Sequence, residues 1–378
     1  MIYILFFILS LFVVWRFNIK GSDNSPLLII FVFLFFLLGI FRDTTVGTDI
    51  MLYDGGGYYE IWQSPKSNSF SYVEKGFVWL TIVLKVFYNS YYFYYGAIFF
   101  ITMLFYYLSA KKMHINPALF FAIYILSSAF IGSFNTIRQN LALSAGVLVF
   151  SHLLYGFDIR NNTLKNVIKR IALFELFIFL LSYGFHTSGL ILTILPLFLL
   201  KGVQNLLSKE LILWGLLLIV TFINLRYGTL IQKYVILANG LLNIGERADS
   251  WAQTIELYGD SIEASHGVLS SFVMGAFAIL LSKGQRGVLF YIGFIGLLLA
   301  SMASVNLGTI GRVFNNLSIF IYFYYALIFC NFRFTYKLFN LKIGWVMLTL
   351  LIVFWISVFY NTVLLNETVS PYHTYLFK

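Results

Sequence analysis

Apolar runs of roughly 15–20 residues recur along the whole of this chain, and at 1.5 Å per residue such a run matches a bilayer hydrocarbon core about 30 Å thick. The composition agrees. Of 378 residues, 60% are hydrophobic and 11% charged, against roughly 25% charged in a soluble domain. A chain with mean hydropathy +0.86 has too little polar surface to coat a soluble globule. The pattern predicts an all-α fold, a polytopic integral membrane helical bundle of about 12 transmembrane helices in a single transmembrane domain over 1–378. Spans are expected near 1–16, 26–41, 91–110, 117–133, 137–156, 170–184, 187–201, 210–225, 266–282, 286–304, 312–331 and 342–361. The first run, MIYILFFILSLFVVW, lacks a basic leader and a small-residue cleavage site, so it reads as a retained span.

The basic residues orient the spans. Six short loops carry Arg16 and Lys20; Lys111 and Lys112; Arg160, Lys165, Lys169 and Arg170; Lys201 and Lys209; Lys283 and Arg286; and Arg333, Lys337 and Lys342. They hold only three acids, Asp23, Asp158 and Glu210. By the positive-inside rule these loops are cytoplasmic. The net charge of +10 reports this bias, and no basic run is long enough for a nucleic-acid footprint. The opposite, outer face carries two long segments, 42–90 and 226–265. Within the first, residues 72–88 have an apolar core between Lys75 and Lys85 too short to span, so a re-entrant or interfacial helix is expected. The second contains KYVILANGLLNIGERADSW, an amphipathic stretch expected on the outer surface. Cys330 is the single cysteine, which excludes an internal disulfide or a cysteine-rich metal site.

In this topology Arg42, Arg138, His186 and Arg312 all sit at outer span ends. A lone arginine there is often a snorkelling anchor. Arg138 and Arg312, however, lie in polar notches: FNTIRQN supplies Asn135, Thr136, Gln139 and Asn140, and Arg312 has Asn306, Thr309, Asn315 and Asn316 nearby. Arginine suits planar, bidentate capture of phosphate oxygens. Arg138, Arg312 and Arg42 are therefore candidate ligands of a diphosphate or similar polyanion. His186 is a candidate general base, with His266 as a rival; on its own it also reads as an interfacial histidine. Asp49 and Glu74 are candidate carboxylates, and Tyr53, Gln139 and Asn135 candidate glycan or supporting contacts. Tyr91, Tyr92, Tyr94 and Tyr95 read as an interfacial belt or, alternatively, a platform for sugar rings. Histidine spacing gives no metal-ligand motif, and no cofactor is expected.

These pieces, in order, resemble the EpsG family of Wzy-type polysaccharide polymerases. The resemblance rests on Arg42, Asp49 and Tyr53; on Glu74 to Phe77; on FNTIRQNLA from Phe134 to Ala142; on HTSG from His186 to Gly189; on Gly311 and Arg312; and on PYHTY near the C-terminus. Where the family often shows E-P-G, this chain has Glu74, Lys75 and Gly76. The resemblance implies a membrane glycosyltransferase of the bacterial inner membrane. Such an enzyme joins undecaprenyl-diphosphate-linked oligosaccharide repeat units on the outer face. Implied partners are that lipid-linked oligosaccharide, membrane lipids, and a chain-length regulator and flippase of the same pathway. A flippase or transporter for a lipid-linked glycan, and an O-antigen ligase, are the alternative readings.

Overall fold

The computed structural model describes residues 2–20, 26–42, 58–65, 73–155, 164–241, 265–282, 286–303, 308–331, 337–338, 341–342 and 344–364. Within these, the side chains of Asn135, His266 and Arg312 lie outside the description. The chain divides into two compact units, residues 1–193 with 325–378, and residues 194–324.

The first unit is built on α1 (Ile2–Lys20), α2 (Pro26–Ile40), the short α3 (Tyr58–Gln63), α4 (Lys75–Phe87), α5 (Tyr91–Lys112), α6 (Pro117–Leu126), α7 (Phe130–Asn135), α8 (Ile137–Tyr155) and α9 (Leu164–Gly184). A 3₁₀ helix, Thr187–Leu199, follows α9. Helix α6 is its core. Every residue from Ala118 to Leu126 is buried, as expected of a helix that is apolar all round. Asn116 caps it, accepting the Ala118 N–H at 2.9 Å, and Pro117 opens its first turn. Helix α1 packs on α6, and α5 packs on both α2 and α8.

Helix α5 ends in a left-handed cap at His114 (φ 57°), where the Ile115 N–H reaches the Ala110 carbonyl at 2.9 Å. The expected span 117–133 is divided. Ser128 adopts φ 60° and separates α6 from α7. That break turns Phe130 and Phe134 inward, against Tyr3, Phe35 and Phe99.

The second unit contains α10 (Lys201–Leu207), α11 (Glu210–Leu241), α12 (Ser265–Leu281), α13 (Val288–Ala303) and most of α14 (Gly308–Asn331). Gly293 and Gly296 let α13 lie directly on the α14 backbone at Leu317 to Ile321; a Cβ at either glycine would collide with main chain. Close approach at small residues is how helices associate in lipid, where burial of apolar surface supplies little drive. Asn224 of α11 donates to Ser301 Oγ of α13 at 2.8 Å, a buried polar bridge. Arg286 ties the opposite helix ends, donating to Ser282 Oγ at 2.9 Å and to the Ser208 carbonyl at 3.0 Å. The α11 helix runs on to Leu241, so residues 226–241 continue a helix begun at Glu210. The remainder of that outer segment, 242–264, lies outside the described residues. A two-residue hairpin, β1 (Lys337–Leu338) with β2 (Leu341–Lys342), precedes α15 (Gly344–Phe359), and a π turn, Tyr360–Leu364, follows it.

The protein is a membrane protein of helical architecture. Among the described residues three helices are long and apolar enough to cross a bilayer: Tyr91–Lys112, Ile137–Tyr155 and Glu210–Tyr227. The pair Thr187–Leu199 and Lys201–Leu207, bent by 90°, has the length and apolarity of a broken span or a re-entrant loop. Further helices, among them Ile2–Arg16, Pro26–Ile40 and Val288–Met302, are as apolar but shorter.

Candidate functional site

The first unit carries Glu74, Arg138, His186 and Arg42, and it brings Glu74 and Arg138 together. The reason is local. Phe77, Thr81 and Leu84 form the buried face of α4 and pack with Tyr91, Tyr94, Ile98, Ile137 and Leu141 of α5 and α8. Phe185 packs on the same cluster. The start of α4 is pressed onto the end of α9, where Gly76 meets Gly184 backbone to backbone. A Cβ on Gly76 would come within 2.5 Å of the Gly184 carbonyl oxygen. This contact fixes the start of α4, which carries Glu74, against the end of α9, which leads into His186.

Glu74 occupies the N-cap position of α4 with an extended backbone, and its carbonyl accepts the Phe77 and Val78 N–H groups. Its side chain does not cap the helix. It reaches instead to Arg138, in the first turn of α8, where Glu74 Oε2 accepts from Nη1 at 2.5 Å. The two side chains are 12% and 15% exposed, so the pair is largely removed from water. The Arg138 guanidinium also faces the Phe77 ring, 5.9 Å from its centroid. The bond to Glu74 uses one of the five N–H donors a guanidinium carries.

His186 begins the 3₁₀ helix. Its carbonyl accepts the Gly189 N–H at 3.0 Å. Its ring folds over the same turn: Nδ1 accepts the Ser188 backbone N–H at 3.2 Å and lies 2.7 Å from Ser188 Oγ. A ring nitrogen that accepts an N–H bears no proton. By that hydrogen-bond pattern the neutral imidazole carries its proton on Nε2. In the sequence Ser188 stands out only as part of HTSG; the signal for its role is a donor two residues after a histidine at a helix start.

Arg42 is placed differently. It follows α2 and is 1% exposed. Its guanidinium lies between two rings, 4.1 Å from the Tyr95 centroid and 3.9 Å from that of Phe134. Tyr95 in turn donates to the Phe134 carbonyl at 2.8 Å. The turn that carries Asn135 and Thr136 into α8 is thus clamped from α2 and α5. Asn140 holds it from the other side, donating to Thr136 O and Oγ1 at 3.1 and 2.8 Å. Gln139 is buried on α8.

Three of the four tyrosines form neither a belt nor a sugar platform. Tyr91, Tyr94 and Tyr95 are buried at 5%, 0% and 2% exposure, with Tyr91 stacked on Tyr95, tilted against Tyr94 and Trp62 and edge-on to Tyr59, and Tyr94 edge-on to Phe77. Spacing of three and four residues puts all three on one helix face, and α4 and α8 cover that face. Asp49 and Tyr53 lie outside the described residues. Arg312 lies in the first turns of α14, in the second unit, with its side chain undescribed. Among the described residues no group of three or more His, Cys, Asp or Glu could hold a metal ion.

The site thus pairs a guanidinium with a carboxylate, and the turn after α9 carries an imidazole whose proton points away from its own helix turn. Such a set can bind an anion, accept a proton and donate a hydrogen bond. No curated protein and no solved structure matches the chain significantly. The family model that does match covers residues 25–374, nearly the whole chain, and on that match the protein belongs to the EpsG family, a family of Wzy-like polymerases.

Proposed function

We propose that this protein is a polysaccharide polymerase, a membrane glycosyltransferase that joins undecaprenyl-diphosphate-linked oligosaccharide repeat units at the outer face of the bacterial inner membrane. The observation that carries the reading is the Glu74–Arg138 pair, in a chain of the EpsG family.

In this mechanism Arg138 binds the donor diphosphate, and the acceptor hydroxyl attacks the anomeric carbon. The bond from that carbon to the diphosphate oxygen breaks, its electron pair leaves with the diphosphate, and the configuration inverts. Glu74 takes the hydroxyl proton. Once neutral, Glu74 no longer holds the charge of Arg138, which becomes available to the diphosphate as negative charge builds there. Preorganised charge of this kind commonly lowers a reaction barrier more than any other single effect. His186, with its proton on Nε2, supplies a hydrogen bond to the leaving oxygen. Arg42 supports the Phe134 turn, and Asp49 is the alternative base.

The test is turnover by purified protein in proteoliposomes supplied with undecaprenyl-diphosphate-linked repeat units. A ladder of products separated by one repeat unit supports the proposal. Single transfer to a lipid A core instead means a ligase, and movement of the lipid without bond formation means a flippase. Arg138→Ala, expressed at the native level, is expected to abolish the ladder. Native polymer length in this variant would remove the diphosphate role.

A further inference from the structure

An apolar trough of about 520 Å³ runs between α2 and α5. Val32, Phe33 and Phe36 form one wall, and Phe100, Leu104 and Tyr107 the other. Phe33 and Phe100 are 59% and 41% exposed, so the trough is open along its side. Lys111 and Asn116 stand at one end. The Lys111 side chain folds back over Tyr107, with Nζ 5.1 Å from the ring centroid. Asn116 uses its Oδ1 to cap α6, so its NH2 group is the polar group it offers to the mouth. Among the described residues no carboxylate lines the trough.

Its length is informative. Phe100 and Lys111 are eleven residues apart on α5, about 16 Å at 1.5 Å per residue. That is close to half of a hydrocarbon core of about 30 Å. The trough is therefore one leaflet deep, walled by apolar side chains, and closed at headgroup level by a cation and an amide donor.

We propose that this trough binds one anionic glycerophospholipid, with an acyl chain along α2 and α5 and its phosphate on Lys111 and Asn116. The depth fits an acyl chain that ends at mid-bilayer, and a lysine with no carboxylate among the described lining residues selects a negative headgroup. The site is separate from the Glu74–Arg138 pair and does not depend on the polymerase reading.

The test uses full-length protein, delipidated in mild detergent and titrated with phosphatidylglycerol, phosphatidylcholine or undecaprenyl phosphate, with bound lipid counted by native mass spectrometry. Phosphatidylglycerol is expected to be retained about fivefold more tightly than phosphatidylcholine, the effect of one lysine at a membrane surface. Lys111→Gln is expected to erase that difference. Leu104→Trp, which fills the trough, is expected to lose the bound phosphatidylglycerol; should it fail to fold by circular dichroism, Phe33→Trp fills the same space from an exposed position. Equal retention of the two phospholipids, or an unchanged preference in Lys111→Gln, overturns the proposal. So does displacement of phosphatidylglycerol by undecaprenyl phosphate that Leu104→Trp blocks, which would make the trough a polyprenyl site.

Discussion

Glu74 and Arg138, sixty-four positions apart in the chain, are joined by a bond of 2.5 Å between Oε2 and Nη1. The bond ties the start of α4 to the first turn of α8, and it makes each residue the electrostatic environment of the other. Removing one partner leaves a poorly solvated charge. The cost is expected to be roughly 1–3 kcal/mol, below that of a fully buried pair because both side chains keep some water. Glu74→Gln and Arg138→Gln should each lower the melting temperature, and the double variant should recover much of the loss. Turnover should not recover in the double variant, since neither the anion site nor the base returns. Recovery of polymer formation would reduce the pair to a structural bridge. Arg138→Lys should also fail in turnover, because an ammonium cannot serve carboxylate and phosphate from one planar fork.

The Gly76–Gly184 contact predicts an asymmetry. A Cβ on Gly76 would strike the Gly184 carbonyl, whereas a Cβ on Gly184 would find only the Gly76 Cα, at an ordinary 3.9 Å. Gly76→Ala is expected to cost roughly 1–3 kcal/mol, as overpacking does, and to reduce turnover by shifting the start of α4 and Glu74 with it. Gly184→Ala should stay within about 0.5 kcal/mol of native stability. Thermal denaturation of both in detergent checks this, and equal effects would show that the helices pack otherwise.

Arg42 between Tyr95 and Phe134 is a second clamp on the same turn. A desolvated cation–π contact is worth about 2 kcal/mol, so Arg42→Met, which keeps the length and removes the charge, should destabilise by about that amount. Tyr95→Phe keeps the ring face and loses only the bond to the Phe134 carbonyl, about 1 kcal/mol. It should raise KM several-fold through movement of Arg138 while the protein remains folded. Unchanged kinetics in a folded Tyr95→Phe variant would separate the clamp from the site.

The helices were legible because apolar length is a strong constraint in a membrane. Most expected spans fall on a helical element of the described residues, but 117–133 is split at Ser128, the helix over 210–225 runs on to Leu241, and three of the described helices, or four with the bent pair, are long and apolar enough to cross a bilayer. The break at Ser128 was not legible, since a left-handed serine leaves no compositional trace and the apolar run continues through it. At the site, Arg138 and His186 stood out as polar residues at span ends, and Glu74 as a candidate carboxylate of the 42–90 segment. The Glu74–Arg138 pairing did not, because it joins the starts of two helices sixty-four positions apart in the sequence. The tyrosines of α5 show the opposite error. Their three-and-four spacing already described a single buried face, and residue type alone suggested an interface belt.

The hydrogen bond from the Ser188 N–H to Nδ1 makes a prediction about pH. If neutral His186 carries its proton on Nε2, it remains a donor on that atom both before and after it gains a second proton. Protonation of His186 then leaves the hydrogen bond it donates from Nε2 in place, so His186 does not set the acid limb of turnover. A histidine base would do the reverse, losing activity as pH falls below about 6.5. The acid limb of kcat/KM against pH is the measurement. His186→Asn separates chemistry from folding, because its amide oxygen can accept the Ser188 N–H in place of Nδ1 and keep the helix start capped. That variant should fold with near-native stability and lose turnover by about 10²-fold, the scale of a single donor to developing charge. An acid limb near 6.5 that disappears in His186→Asn would instead make His186 the base and leave Glu74 to the structural support of Arg138.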